Sequence, residues 1–243
     1  VKSFDYENYM LSLKEVISIL EEAVVNKKPC SLARFGHTEV CIAYNTYPEW
    51  ILGWNGREYS GSTGAPQQMQ QDLQTALKLV DIAGLHSSYV PADKEYANLT
   101  KELLQHLDFI PRYICSAWIT HKMPHTDSFW KWLKKYKVAL VGRRAAEAVP
   151  FFQEEKGVAV VTTLTLEGYG EIDSVCEELT KDGNWQIALI SAGLPARILV
   201  SRLAPASGRV AIDFGHALDQ VIEGSKFNHD RTLEAWKAQQ SNN

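Results

Sequence analysis

From Lys137 onward the chain repeats one pattern: a short apolar run, a stretch of helical periodicity, then another apolar run. Lys137-Val138-Ala139-Leu140-Val141-Gly142 predicts a buried strand ending in glycine, Ala145 to Glu155 a helix, and Val158 to Thr163 a second strand. Glu171 to Thr180, Gln186 to Ile190, Ala196 to Leu203 and Val210 to Asp213 continue as helix, strand, helix, strand. Strands separated by helices read as a parallel sheet covered on both faces. Right-handed crossovers then make a Rossmann-like, doubly wound α/β sheet the expected fold. The chain has 243 residues and no repeat or low-complexity linker, so it is read as a single α/β domain over 1–243. The loop at 121–128 is the one hint of a division into two lobes.

Upstream, Leu11, Leu13, Val16, Ile17, Leu20 and Val24 recur at helical spacing and predict a helix over Tyr9 to Asn26. Cys30 to Phe35 reads as a strand, Gly36 as a tight turn, and His37 or Thr38 as the start of a helix. Tyr47 to Gly64 reads as a long connection holding Trp50 and Trp54, either ligand-binding or packed on the core. Pro66 to Val80 is an expected helix, Asp81 to Leu85 a short strand, Asn98 to Leu107 a helix, Tyr113 to Thr120 a strand and Phe129 to Tyr136 a short helix. His121, His125 and Asp127 fit no compact metal spacing and are taken as loop residues.

Charge and composition remove several classes. A net charge of −4 and a pI near 6.0 do not suit electrostatic capture of nucleic acid. No apolar run reaches the ~18 residues of a membrane span, and the first residues lack the apolar core and cleavage site of a secretory signal. Cys30, Cys41, Cys115 and Cys176 are scattered without a CxxC pair. They read as small buried hydrophobes in a reducing compartment, hence a cytoplasmic location, free or at the inner membrane face.

In an open parallel sheet, ligands bind at the carboxyl ends of the strands. The first strand delivers Arg34, Gly36, His37 and Glu39 there. A strand-to-helix turn leaves backbone N–H groups free for an anion, Arg34 adds a planar fork, and Glu39 is a candidate base. A structural Arg34–Glu39 ion pair with Thr38 as a simple cap is the equal alternative. Ser191-Ala192-Gly193-Leu194-Pro195 is the best phosphate turn: glycine permits close approach, proline suits the first helical position, and Arg197 adds charge. Gly142-Arg143-Arg144 is a weaker version. Asp213, Gly215 and His216 end the last strand, where carboxylate and imidazole suit a metal or a hydroxyl, or merely a satisfied turn. GxGxxG and Walker sequences are absent, so a dinucleotide or P-loop site is not supported.

Taken together, these segments resemble the GT-D-type glycosyltransferases, bacterial enzymes formerly grouped as a domain of unknown function. Arg34-Phe35-Gly36-His37-Thr38-Glu39 is similar to that family's Arg-x-Gly-Asp-Gly-Glu turn, whose Asp-x-Glu is its signature. Asp81-Ile82-Ala83-Gly84 resembles its Asp-Ile-x-Gly segment, Ser191 to Arg197 its Gly-Pro-x-Lys turn, and Asp213-Phe214-Gly215-His216 its closing Asp-x-Gly-His. The match runs in order from about Cys30 to Asp219. It implies transfer of a sugar from a UDP-linked donor to a glycan hydroxyl, with a divalent metal, typically Mn²⁺. It also implies a role in cell-surface glycan synthesis, and the polar chain ends suit a domain cut from a larger glycan-assembly protein. Glu39 is then the general base, with Arg34 beside it. Gly36, Ser191, Gly193, Arg197 and Asp213 hold the nucleotide sugar, and His37 and His216 are candidate metal ligands. Trp50, Trp54 or Trp118 could stack on uracil or a sugar face. The departure is His37, which stands where the family has an aspartate and brings no negative charge to a metal. Arg197 replaces the family's lysine with a different geometry. Two other readings stay open: a nucleotide-sugar or sugar-phosphate hydrolase, and a non-catalytic sugar-nucleotide-binding module.

Overall fold

The computed structural model describes residues 5–45 and 60–228. Trp50 and Trp54 fall outside them. Eight strands form one sheet in the order β1-β4-β3-β2-β8-β7-β5-β6, every pair parallel. They are β1 Met10–Leu11, β2 Cys30–Arg34, β3 Ile82–Leu85, β4 Tyr113–Ser116, β5 Lys137–Gly142, β6 Ala159–Leu164, β7 Ile187–Ser191 and β8 Val210–Asp213. The inner strands read as unbroken apolar runs because helices cover both faces. Every residue of β2, β3 and β8 is buried, while edge strand β6 alternates between exposed and half-buried positions. Side-chain alternation splits the interior in two. Leu32, Leu140 and Ile212 face one core with Leu20, Phe129 and Phe152; Ala33, Val141 and Ile190 face another with Phe35, Leu73 and Leu199. The expected doubly wound α/β sheet is the observed one.

Ten α-helical segments lie among the described residues: α1 Leu13–Val25, α2 His37–Ala43, α3 Pro66–Leu79, α4 Lys94–His106, α5 Ile119–Lys122, α6 Asp127–Leu133, α7 Ala145–Pro150, α8 Ile172–Lys181, α9 Leu194–Ser207 and α10 Ala217–Glu223. The first helix starts later than its periodicity predicts. Ser12 and Glu15 form a reciprocal capping box, which ends the preceding Met10–Leu11 pair as a strand against β4. The strand expected over Tyr113 to Thr120 stops at Ser116, and the chain turns into α5, which carries His121 on a helix instead of a loop.

Helix α9 packs across β2 and β8, where the two halves of the sheet meet. Because all strands run the same way, the carboxyl ends of β2, β3, β7 and β8 open on one edge. A cleft of about 770 Å³ lies there.

Candidate functional site

Two arginines and two carboxylates form the floor of the cleft. Asp213 is fully buried at the end of β8. Arg34, at the end of β2, grips it with both arms: Nε donates to Oδ2 at 3.0 Å and Nη2 to Oδ1 at 3.1 Å, while the Arg34 backbone N–H donates to Oδ2 at 3.1 Å. Arg197, from the first turns of α9, donates through Nε to the Arg34 carbonyl at 2.9 Å and through Nη1 to the Gly193 carbonyl. The same Nε lies 3.4 Å from Asp213 Oδ2 and 3.4 Å from Glu39 Oε1. Burial alone would raise the Asp213 pKa, but Arg197 and Arg34 outweigh it and hold the carboxyl below its ordinary range. The pairing predicted as an alternative from sequence is therefore exchanged: Arg34 takes Asp213, and Glu39 takes Arg197.

Glycine makes this packing possible. Gly215 has φ +51°, and a Cβ there would lie 1.7 Å from Arg34 Nη2. Any side chain would displace the guanidinium. Gly193, at φ +58°, lies so close to Ser60 that a Cβ would fall 2.1 Å from the Ser60 carbonyl oxygen. That carbonyl accepts the Leu194 N–H at 2.9 Å, so one of the amides expected to face a phosphate is already engaged by the chain itself. Ser191 Oγ, by contrast, is buried in the cleft wall with no hydrogen-bond partner among the described residues.

A second group lies at the ends of β3 and β4. Asp93, almost fully buried, receives the Trp118 indole N–H at 2.5 Å on Oδ2. Its Oδ1 lies 3.2 Å from His37 Nε2, and its Oδ2 lies 3.1 Å from His86 Nδ1. The two imidazoles stack face to face, 4.5 Å apart and 3° from parallel. His86 is 1% exposed, and neither ring nitrogen has a hydrogen bond: the approach to Asp93 is close but off-line. Burial would raise the Asp93 pKa, but the Trp118 N–H and the two imidazoles beside it outweigh that and lower it. Burial pushes His86 the other way, below the usual histidine range.

Between the groups stands His121. Its Nδ1 accepts from Arg34 Nη1 at 3.4 Å, since a guanidinium has no lone pair to offer. Burial, Arg34 and His216 push its pKa down to about 3. His216 bonds Asp219 at 3.0 Å, and Asp219 also receives Arg144. His37 and His216, expected together as metal ligands, stand at opposite ends of a row of rings: His37 to Trp118 6.1 Å, Trp118 to His121 5.2 Å, His121 to His216 6.5 Å. Among the described residues, the one group of three or more possible ligands converging on a point is His37, His86 and Asp93, all within 4.8 Å of one another. Two imidazoles and a carboxylate are donor types that suit a divalent ion.

Eight of the nine residues singled out from sequence line this one cleft: Arg34, Gly36, His37, Glu39, Ser191, Gly193, Arg197 and His216. The ninth, Asp213, lies beneath Arg34. His86, Asp93 and His121 were not among them. His86 follows β3 directly, so the rule that strand ends carry the site would have found it.

The GT-D-like family, described as a GT-D fold-like domain, matches residues 11–221. The chain belongs to that family. Its fold is similar to that of a solved structure described as a new glycosyltransferase (DUF1792) from Streptococcus sanguinis, at 15% identity and a TM-score of 0.63, covering 90% of this chain and 86% of the other. A second, described as domain of unknown function 1792 with a distinct glycosyltransferase fold, aligns at 16% identity and a TM-score of 0.55 over 90% of this chain and 83% of its own. No curated protein matches the sequence significantly. No helix among the described residues is long and apolar enough to cross a membrane.

Proposed function

We propose that this GT-D-like protein is a glycosyltransferase that moves a sugar from a UDP-linked donor to a glycan hydroxyl, as a single domain working in the cytoplasm on cell-surface glycan assembly. The observation that carries the reading is the convergence of the chain's strand-end residues, from Arg34 to His216, on one cleft of nucleotide-sugar size at the carboxyl edge of the sheet. Ser191, Gly193 and Gly36 supply the close-approach wall for the diphosphate. The Ser191 hydroxyl, buried and without a hydrogen-bond partner among the described residues, is the polar group of that wall left for a ligand. Arg197 and Asp213 hold that wall in place.

Glu39 is the proposed base. Arg197 fixes its orientation, and its carboxylate lines the cleft. In the reaction the bond from the anomeric carbon to the diphosphate oxygen breaks, the acceptor oxygen bonds to that carbon, and the acceptor proton passes to Glu39. Attack from the face opposite the leaving group inverts the anomeric configuration. A divalent ion held by His37, His86 and Asp93 would supply positive charge to the departing diphosphate.

The test is turnover of a panel of UDP-sugars with and without glycan acceptors. Release of UDP that rises with acceptor supports transfer. Release indifferent to acceptor would make the protein a hydrolase, and UDP binding without release would make it a binding module. In Glu39→Gln, transfer falls about 10²–10⁴-fold while donor affinity is retained. Unchanged transfer in that variant overturns Glu39 as the base.

A further inference from the structure

We infer that His121, held by Arg34 as the tautomer with its hydrogen on Nε2, donates that N–H to a hydroxyl oxygen of the transferred sugar, whose apolar face lies on Trp118. The inference rests on the glycosyltransferase reading and gives the donor sugar its place in the cleft.

The tautomer follows from geometry. Arg34 Nη1 lies 3.4 Å from His121 Nδ1. A guanidinium can only donate, so Nδ1 presents its lone pair and the ring hydrogen sits on Nε2. Arg34 is not free to turn away, because its Nε and Nη2 donate to the fully buried Asp213 at 3.0 and 3.1 Å. Burial, Arg34 and His216 all act to keep a second proton off the ring.

The Nε2 side of the ring is the side left open. His121 lines the cleft, and Nε2 has no hydrogen-bond partner among the described residues. Unlike the nitrogens of His86, it is not shut away from solvent. The ring rides on α5, whose Ile119 and Thr120 are buried and which leads directly into buried Met123. A donor fixed through both its backbone and its ring has little freedom to lose when a ligand arrives.

The neighbour of His121 points to the ligand class. Trp118 meets it at 5.2 Å with 65° between the rings, and the indole N–H is tied to Asp93. Trp118 lines the cleft and keeps 37% exposure. An exposed aromatic surface beside one fixed polar donor suits a pyranose, which has an apolar C–H face and a rim of hydroxyls. Position separates the sugar from the nucleotide. Arg34 shares Asp213 with Arg197, and Arg197 orients Glu39. His121 is thereby joined through the floor to the proposed base, in the part of the cleft where the reacting sugar must lie.

The experiment measures binding of UDP, UDP-glucose, UDP-galactose and UDP-N-acetylglucosamine to the full chain by calorimetry. At least one UDP-sugar binds more tightly than UDP. His121→Asn keeps an oxygen for Arg34 but offers no donor at the Nε2 position, and His121→Gln puts an N–H back there. His121→Asn weakens binding of that UDP-sugar about 10-fold, the size of one hydrogen bond between uncharged groups, and leaves UDP unchanged. His121→Gln recovers most of the loss. Analogues of the preferred UDP-sugar that each lack one hydroxyl give a second reading. One of them binds the native chain about 10-fold more weakly than its parent, yet binds His121→Asn as well as its parent does, because the two changes remove the same contact. A third reading needs no variant: nitrogen-15 spectra of the histidine-labelled chain show His121 with its hydrogen on Nε2, a signal moved by the UDP-sugar and not by UDP. A loss of UDP affinity in His121→Asn puts the contact on the nucleotide and overturns the inference. So does a hydroxyl penalty that simply adds to the substitution, or a hydrogen found on Nδ1. None of these readings requires turnover. A chain that binds the sugar through His121 and transfers nothing loses only the transferase reading, whereas one that binds no UDP-sugar loses both.

Discussion

The floor and the rim of the cleft are built from similar residues to opposite ends. On the floor, two guanidiniums meet two carboxylates, and the arms of Arg34 and Arg197 are spent on Asp213, Glu39 and backbone carbonyls. On the rim, His86 keeps unsatisfied nitrogens beside Asp93, and Ser191 keeps a free hydroxyl. A saturated group of charges makes a rigid scaffold and has little field left for a ligand. An unsaturated one carries a free-energy cost that a ligand can relieve. The arginines that look from sequence like phosphate binders clamp strand ends together through Asp213 and the backbone.

The sharpest way to break this contrast is Asp213→Asn. It strands two buried guanidiniums without their shared counter-charge, and breaking such a pair costs about 3–5 kcal/mol. Urea denaturation should show that loss with an unchanged slope. A loss under 1 kcal/mol would mean the floor is not the scaffold. Gly193→Ala comes next. The positive φ and the clash with the Ser60 carbonyl predict about 1–3 kcal/mol of destabilisation. The same measurement checks it, and a silent substitution would mean the glycine–proline corner is loose.

The third effect concerns His121. Its folded pKa near 3 lies below the ~6.5 of an unfolded histidine, so between those values the unfolded chain binds more protons. The contribution is fully present above pH 6.5 and drains away as pH falls toward 3, with roughly 2 kcal/mol lost by pH 5. Thermal melts from pH 7 to 4 should fall more steeply for the native chain than for His121→Gln. Parallel curves would show that the imidazole is not held neutral between floor and rim.

The sheet was legible because its inner strands are buried on both faces and so stand out as apolar runs between amphipathic helices. β1 was not, since Met10 and Leu11 continue the helical spacing of Leu13 and Val16. Only the Ser12–Glu15 capping box marks the break. The short α5 gives too few residues for a period, so His121 reads as a loop residue. The cleft residues were legible as strand ends, but their partners were not. Nothing local in Arg34 says that it will hold Asp213 and leave Glu39 to Arg197, because those choices are made by tertiary packing. His86 and Asp93 carry no motif, and they acquire meaning only where Trp118 and His37 arrive from other strands.

The link between Arg34 and Asp213 spans 179 residues of chain, and β8 is the last strand made yet sits between β2 and β7. A ribosome adding roughly 5–20 residues per second needs about 10–35 s to go from one partner to the other. Throughout that interval β2 presents an open hydrogen-bonding edge, joined by that of β7 only near its end, and the early arginine has no counter-charge to receive it. The nascent protein therefore passes through a split sheet, vulnerable to mispairing. It becomes whole only when a four-residue wedge, Val210–Asp213, slides into the gap.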